Sequence, residues 1–240
     1  MKMDKKILVT GATRGIGKKI FEEMLSCGEV YGLARNREKL DELKLLGARD
    51  VLKCDLLNDV ESAKDFIQIN GINVLINNAG VYNYSALEDE NEDTVRDIIR
   101  TNVEAPIILS KYVLKNMKEQ KWGRIVNIGS ISGVMGEANA SVYSASKSAL
   151  IGFSKALALE TAQDNVTVNT INAGWVDTEL GNVSIEDSEF SKEEIMEIIP
   201  QKRFVTPEEI ARLIKYLLSD DARGITGQSI NLCAGLSVGY

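Results

Sequence analysis

Short runs rich in β-branched residues alternate along this chain with longer segments of helical period, and that alternation leaves few architectures open. The runs read as strands near Lys6 to Thr10, Val30 to Ala34, Val51 to Cys54, Val74 to Ile76, Arg124 to Ile128, Val166 to Ile171 and Ser229 to Leu232. Helices fit between them at about Gly15 to Ser26, Arg37 to Leu46, Asp59 to Ile69, Glu92 to Met117, Tyr143 to Ala162 and Pro207 to Leu218. A strand that returns through a helix lies parallel to its predecessor, and a sheet of such strands is covered by helices on both faces. The expected fold class is α/β, a doubly wound seven-stranded parallel sheet. No internal repeat, low-complexity tract or Pro/Gly/Ser-rich linker divides the 240 residues, so one domain spanning 1–240 is expected. The acidic, polar stretch from Gly181 to Gln201 breaks the alternation just after the sixth strand. It reads as a mobile substrate loop over the carboxyl ends of the strands, where open α/β sheets bind ligands.

Composition narrows the chemistry. The chain has no histidine, which removes Ser-His-Asp triads, Cys-His dyads and histidine-ligated zinc, and no metal site is expected. Cys27, Cys54 and Cys233 are widely spaced and read as reduced structural thiols. A net charge of -7 argues against affinity for nucleic acid or for anionic membranes. No apolar run is long enough to span a membrane and no cleavable leader precedes the first strand, so a cytoplasmic location is expected.

After the first strand comes Thr10-Gly11-Ala12-Thr13-Arg14-Gly15-Ile16-Gly17, and then a helix. Glycines at this place let the backbone turn tightly and approach a pyrophosphate at the helix N-terminus, as in a Rossmann dinucleotide site. The spacing is Gly-x-x-x-Gly-x-Gly. Proteins that bind NAD usually place a carboxylate after the second strand, on the ribose hydroxyls. This chain has Arg35 there, and Arg14 in the loop could supply a second cation. A guanidinium suits a 2′-phosphate where a carboxylate would repel it, so NADP(H) is the expected cofactor.

Tyr143 and Lys147 are four residues apart and share one helix face. Ser130 ends the fifth strand, on the side that faces a ligand. Asn102 lies within a long helical segment, and Pro106, four residues on, has no N–H for the Asn102 carbonyl. The helix is expected to kink there, leaving that carbonyl free to hold a water.

Together these features resemble the short-chain dehydrogenase/reductase family over essentially the whole chain. The matching residues are the loop Thr10 to Gly17, Asp55 after the third strand, Asn77-Asn78-Ala79-Gly80, Asn102, Ser130, Tyr143 with Lys147, and Gly174 with Thr178. The resemblance implies catalysis by Ser130, Tyr143, Lys147 and Asn102. It implies a cofactor site of Gly11, Thr13, Arg14, Gly15, Ile16, Gly17, Arg35, Asp55, Leu56, Asn78, Ala79, Gly80, Tyr143, Lys147, Gly174, Val176 and Thr178, and a homotetramer. Two positions depart from the family: Ala173 stands where proline is usual, and Cys233-Ala234-Gly235 where Asp-Gly-Gly is common.

Within the family, Gly123 to Ser130 and Ile151 to Lys155 look most like reductases of 3-oxoacyl groups on acyl carrier protein. Lys111, Lys115 and Lys118, with Lys121 and Arg124 beyond, could form a docking stripe for such an acidic carrier. Asp164 stands where those reductases tend to have a docking arginine. A coenzyme A thioester, another small ketone, a sugar or a steroid stays open as substrate, as does an NADPH-binding sensor or scaffold without catalysis.

Overall fold

The computed structural model of the chain describes residues 4–178, 181, 185 and 190–238. Its strands are β1 (Lys6–Thr10), β2 (Glu29–Ala34), β3 (Asp50–Lys53), β4 (Val74–Asn77), β5 (Gly123–Ser130), β6 (Val166–Ala173) and β7 (Ser229–Leu232). They form one sheet in the order β3-β2-β1-β4-β5-β6-β7, and every pairing is parallel. The order reverses between β1 and β4, so the connections leaving these two strands run to opposite sides and open a crevice at their carboxyl ends.

Alternation along β1 shows how the sheet is covered. Ile7 and Val9 join the cluster under α1 (Gly15–Met24) and the helix Pro207–Leu217, with Ile20, Phe21, Ile210 and Ile214. Leu8 faces the other layer, packed with Leu109 and Val113 of α5 (Ala105–Gln120) and Leu157 of α7 (Ser141–Thr161). β6 is buried at every position, which is why the strand reads as β-branched and amide residues without a solvent face. Asn77, Asn127, Ser154 and Thr170 run through the interior as a hydrogen-bonded row, with links of 2.8 Å each. That row ties α7 to β4, β5 and β6 at a fixed register.

The long helix expected from Glu92 to Met117 is two helices. α4 (Glu92–Ile99) leads into a single π turn over Arg100–Glu104, and then into α5. Pro106 cannot supply the amide that an α-helix would bring to the Asn102 carbonyl, and the ladder widens: the Ala105 N–H reaches back to the Arg100 carbonyl. The helix expected from Asp59 starts as a 3₁₀ turn, Val60–Ser62, before α3 (Ala63–Asn70). In the stretch 181–201, residues 182–184 and 186–189 lie outside the described residues. Its later part is a helix, Lys192–Ile198, opened by a capping box between Ser191 and Glu194. Among the described residues, no helix is long and apolar enough to cross a membrane.

The proposed docking stripe does not hold together. Lys111, Lys115, Lys118 and Lys121 are exposed, but Arg124 is only 1% exposed. It enters the sheet with β5, lies 4.6 Å from the Trp122 ring and donates to the carbonyls of Gly123 and Asn165. Lys121 is 2.5 Å and Lys118 4.0 Å from Asp164. α5 runs back toward the amino ends of the strands, so Lys118 and Lys121 sit at the edge opposite the crevice.

Close packing of the first turn of α1 against β1 and β4 yields a stability test. A Cβ at Gly17 would overlap the Gly11 carbonyl oxygen and Asn78 Nδ2. Gly17→Ala is expected to lower stability by about 1–3 kcal/mol, read as the urea unfolding midpoint; an unchanged midpoint would refute this packing.

Candidate active site

The floor of the crevice is a cross-link between the two central strands. Thr10 Oγ1 accepts the N–H groups of Asn78 (3.0 Å) and Ala79 (2.9 Å), and Asn78 Nδ2 donates to the Thr10 carbonyl at 2.9 Å. Gly11, at φ 63°, turns the chain off β1 in a left-handed conformation that favours glycine. The N-terminus of α1 carries neither a side-chain cap nor an acidic residue in its first turn, so its leading amides stay available to an anion.

A cavity of about 1400 Å³ runs along the carboxyl ends of the strands. At one end it is lined by Gly11, Thr13, Arg14, Gly15, Ile16, Gly17, Arg35, Asp55, Leu56, Asn78, Ala79 and Gly80. The other end is lined by Ser130, Tyr143, Lys147, Gly174, Val176 and Thr178. All the predicted cofactor-site residues therefore meet in one cavity. Arg14 and Arg35 are exposed at its first end, with Lys39 beside them, a cation the sequence reading did not single out. Asp55 is turned onto its own loop, where its carboxylate accepts from Leu57 N and Asn58 Nδ2.

At the far end, Lys147 is 5% exposed, and Nζ donates to the Ile128 carbonyl at 2.9 Å. Burial pushes its ammonium down to about 8. The same Nζ lies 5.5 Å from the centre of the Tyr143 ring. Burial pushes the Tyr143 phenol up to about 12, a hydrogen bond with Ser130 pulls it back, and the Glu137 carboxylate adds to the rise. Asn102 is fully buried behind this wall: Nδ2 donates to the Val81 carbonyl and to Ser146 Oγ, and Oδ1 accepts the Val81 N–H. A Cβ at Gly80 would come within 3.3 Å of Asn102 Oδ1 and 3.4 Å of Lys147 Nζ, so glycine there lets the β4 loop approach the buried lysine.

Uncapped helix amides and the guanidinium groups of Arg14 and Arg35 at one end, joined by a groove to a buried ammonium and a half-buried phenol at the other, fit a phosphorylated dinucleotide laid across the strand ends. They bring its far end against a proton donor. The sequence reading missed Tyr82, Ser132 and Glu137, which line the second end. Their hydrogen bonds arise where two loops meet, and no spacing within either loop announces them.

Comparison with known proteins agrees with this geometry. The sequence profile of the short chain dehydrogenase family matches residues 5–189. The 3-oxoacyl-acyl-carrier-protein reductase FabG of Salmonella typhimurium is 35% identical over 238 residues, covering 95% of this chain and 96% of that protein. The enzyme of the same name from Buchnera aphidicola is 37% identical over 245 residues, 98% of this chain and 99% of its own. Among solved structures, an actinorhodin polyketide ketoreductase with NADPH superposes with a TM-score of 0.91 at 35% identity, covering 100% of both chains. The parallel sheet, the crevice at its switch point and these likenesses have one explanation: this chain belongs to the short-chain dehydrogenase family.

Proposed function

We propose that the chain is an NADPH-dependent carbonyl reductase that converts a 3-oxoacyl thioester, carried on acyl carrier protein, to the 3-hydroxyacyl form. One observation carries the reductase reading: a lysine ammonium buried beside a tyrosine phenol and the serine that ends β5, at the closed end of a dinucleotide-sized groove. Relatives named as 3-oxoacyl-acyl-carrier-protein reductases support the thioester. When bound, NADPH supplies a hydride to the carbonyl carbon. Ser130 holds the carbonyl oxygen by hydrogen bond, and Tyr143 gives its proton to that oxygen as the alkoxide forms, so that C=O becomes CH–OH. Lys147 stabilises the phenolate left behind and grips the ribose, and Asn102 backs a relay that returns a proton to Tyr143. Gly11, Thr13, Gly15, Ile16 and Gly17 hold the pyrophosphate, Arg14 and Arg35 the 2′-phosphate, and Asp55, Leu56, Asn78, Ala79 and Gly80 the adenosine side. Gly174, Val176 and Thr178 hold the nicotinamide end.

A second reading, a small free ketone, is favoured by a specific observation. The substrate end is lined by Glu137, Glu193, Glu194 and Glu197, and Lys118 and Lys121, at the carboxyl end of α5, sit at the opposite edge of the sheet. An acidic carrier finds little there to attract it.

Arg35→Asp should weaken NADPH binding roughly tenfold or more beyond its effect on NADH, measured by fluorescence titration; equal losses would sink the 2′-phosphate assignment. Tyr143→Phe should lower kcat by about 10²–10⁴. The Lys147 charge is lost as pH rises through about 8, while Tyr143 keeps its proton, so kcat/KM for reduction is expected to fall on the alkaline side from about pH 8. A flat profile to pH 10 would contradict that role. Acetoacetyl groups on acyl carrier protein and on coenzyme A, assayed side by side, decide the substrate: faster reduction of the carrier form supports the carrier, equal rates reject it, and inactivity on both favours the free ketone.

A further inference from the structure

Glu137 lies in the turn after a short helix, α6 (Ser132–Met135), is half-buried and lines the substrate end of the cavity. Among the described residues, no lysine or arginine lies within ion-pair distance of it. Its two oxygens instead take two hydroxyl groups. Oε2 accepts from Ser132 Oγ at 2.5 Å, and Oε1 accepts from Tyr82 OH at 2.8 Å. Each of these two residues in turn touches a residue of the proposed reaction, Ser130 or Tyr143. Ser132 Oγ accepts from Ser130 Oγ at 3.1 Å, and the Tyr82 ring stands edge-on to the Tyr143 ring, centroids 4.9 Å apart. The loops carrying Tyr82 and Glu137 are further clasped by Asn139, which donates to Tyr84 OH at 3.0 Å and accepts from Ser85 N at 2.6 Å.

Resting on the reductase reading above, we propose that Glu137 is a positioning residue for the reduction, holding Ser130 through Ser132 and Tyr143 through Tyr82. An ionised carboxylate only accepts, so the protons of Ser132 and Tyr82 are both committed to it. Ser132 can then meet Ser130 only as an acceptor, while its backbone N–H donates to Ser130 Oγ at 3.2 Å. The Ser130 proton then points to Ser132 or Tyr143 at rest, and is offered to the ketone oxygen once a substrate is bound. Tyr82, pinned at its hydroxyl, becomes a fixed wall for the Tyr143 ring. Charge-assisted bonds of this kind are stronger than neutral ones, and the arrangement has an electrostatic signature. A carboxylate this near opposes ionisation of Tyr143, as the rise it causes there indicates. The titratable groups at the substrate end of the cavity are Tyr82 and Tyr84 after β4, Asp97 on α4, Tyr143 and Lys147 on α7, and Glu193, Glu194 and Glu197, and Asn83, which also lines it, holds the Glu90 carboxylate. Of these only Lys147 is a cation, and it bonds to the Ile128 carbonyl.

Two measurements test the proposal. The first needs neither ketone nor cofactor. Fluorotyrosine labelling makes the phenols more acidic and brings their titration into a range the fold survives, and the resonance lost in Tyr143→Phe identifies Tyr143. Glu137→Gln keeps the shape and removes the charge, so its Tyr143 midpoint should fall by on the order of one unit relative to the wild-type protein. Coincident midpoints would overturn the proposal. The second is steady-state reduction of acetoacetyl-coenzyme A. Glu137→Ala should lower kcat by about tenfold or more with KM for NADPH unchanged, and Glu137→Gln should recover part of the loss. Ser132→Ala combined with Glu137→Ala should cost no more than the worse single change, because the two act in series on Ser130. An unchanged kcat in Glu137→Ala, or additive losses, would reject the positioning role. If the wild-type protein reduces acetoacetyl groups on neither coenzyme A nor acyl carrier protein, the thioester reading fails, and the Tyr143 midpoint still judges Glu137.

Discussion

A positive charge buried at the head of the sheet is the constraint around which this site is organised. Lys147 keeps its ammonium against the Ile128 carbonyl with almost no access to water, and a lone buried cation is costly unless hydrogen bonds and nearby negative charge compensate it. The compensation available on the described side is a single carbonyl, and the ammonium is correspondingly easy to deprotonate. Such a group is poorly satisfied at rest and well satisfied when negative charge appears beside it. In the proposed reduction, a phenolate forming on Tyr143 would supply that charge, and ribose hydroxyls would add acceptors. On that proposal the cost of burying the ammonium would be offset in the state where proton transfer has occurred, which is where stabilisation accelerates a reaction.

Holding that lysine in place requires a helix that cannot slide. α7 crosses the sheet over β5 and β6, and an apolar contact alone would tolerate small shifts along its axis. The buried row of Asn77, Asn127, Ser154 and Thr170 removes that freedom, because each of these side chains has its partner at one register only. The π turn does the same for Asn102. Widening the ladder by one residue brings its amide onto both backbone groups of Val81, which fixes the β4 loop beside Gly80 and Lys147. Polar groups in the core thus set position, while the apolar clusters on either side supply most of the stability.

Much of this could be read in the sequence. β-branched runs without a polar face announce parallel strands, the glycines after β1 announce the turn, and Pro106 announces the break in the helix at Asn102. Tyr143 and Lys147 are one helical turn apart, so their partnership is local. What escaped depends on contacts between segments distant in the chain. Arg124 looked like the end of a surface stripe because nothing local marks it as buried; its environment comes from Trp122, Asn165 and the interior position of β5. Glu137, Ser132 and Tyr82 meet only because the loops after β4 and β5 fold over the same opening. Lys39 reaches the cofactor end because α2 (Arg37–Leu45) starts directly after Arg35 and Asn36, a proximity that the strand assignment contained but the motif did not use.

Charge along the cavity finally bears on what can enter it. Arg14, Arg35 and Lys39 line one end; Asp97, Glu137, Glu193, Glu194 and Glu197 line the other. The first end thus carries mainly cationic side chains and the second mainly carboxylates, with Asp55 and Lys147 as the exceptions. On the proposed function, a phosphorylated dinucleotide would be oriented by this asymmetry, phosphates toward the arginines and the reacting ring toward Tyr143. The ketone faces the opposite demand, because an anionic group carried close to its carbonyl would meet the glutamates. On the proposed function, a thioester on a long neutral arm would meet both conditions, its carbonyl entering while the phosphate and any acidic carrier stay outside the acidic end. Short ketones without an anionic group meet them as well, whereas a ketone bearing a carboxylate next to the reacting carbon does not. On the proposed function, the carboxylates at the substrate end would set that boundary.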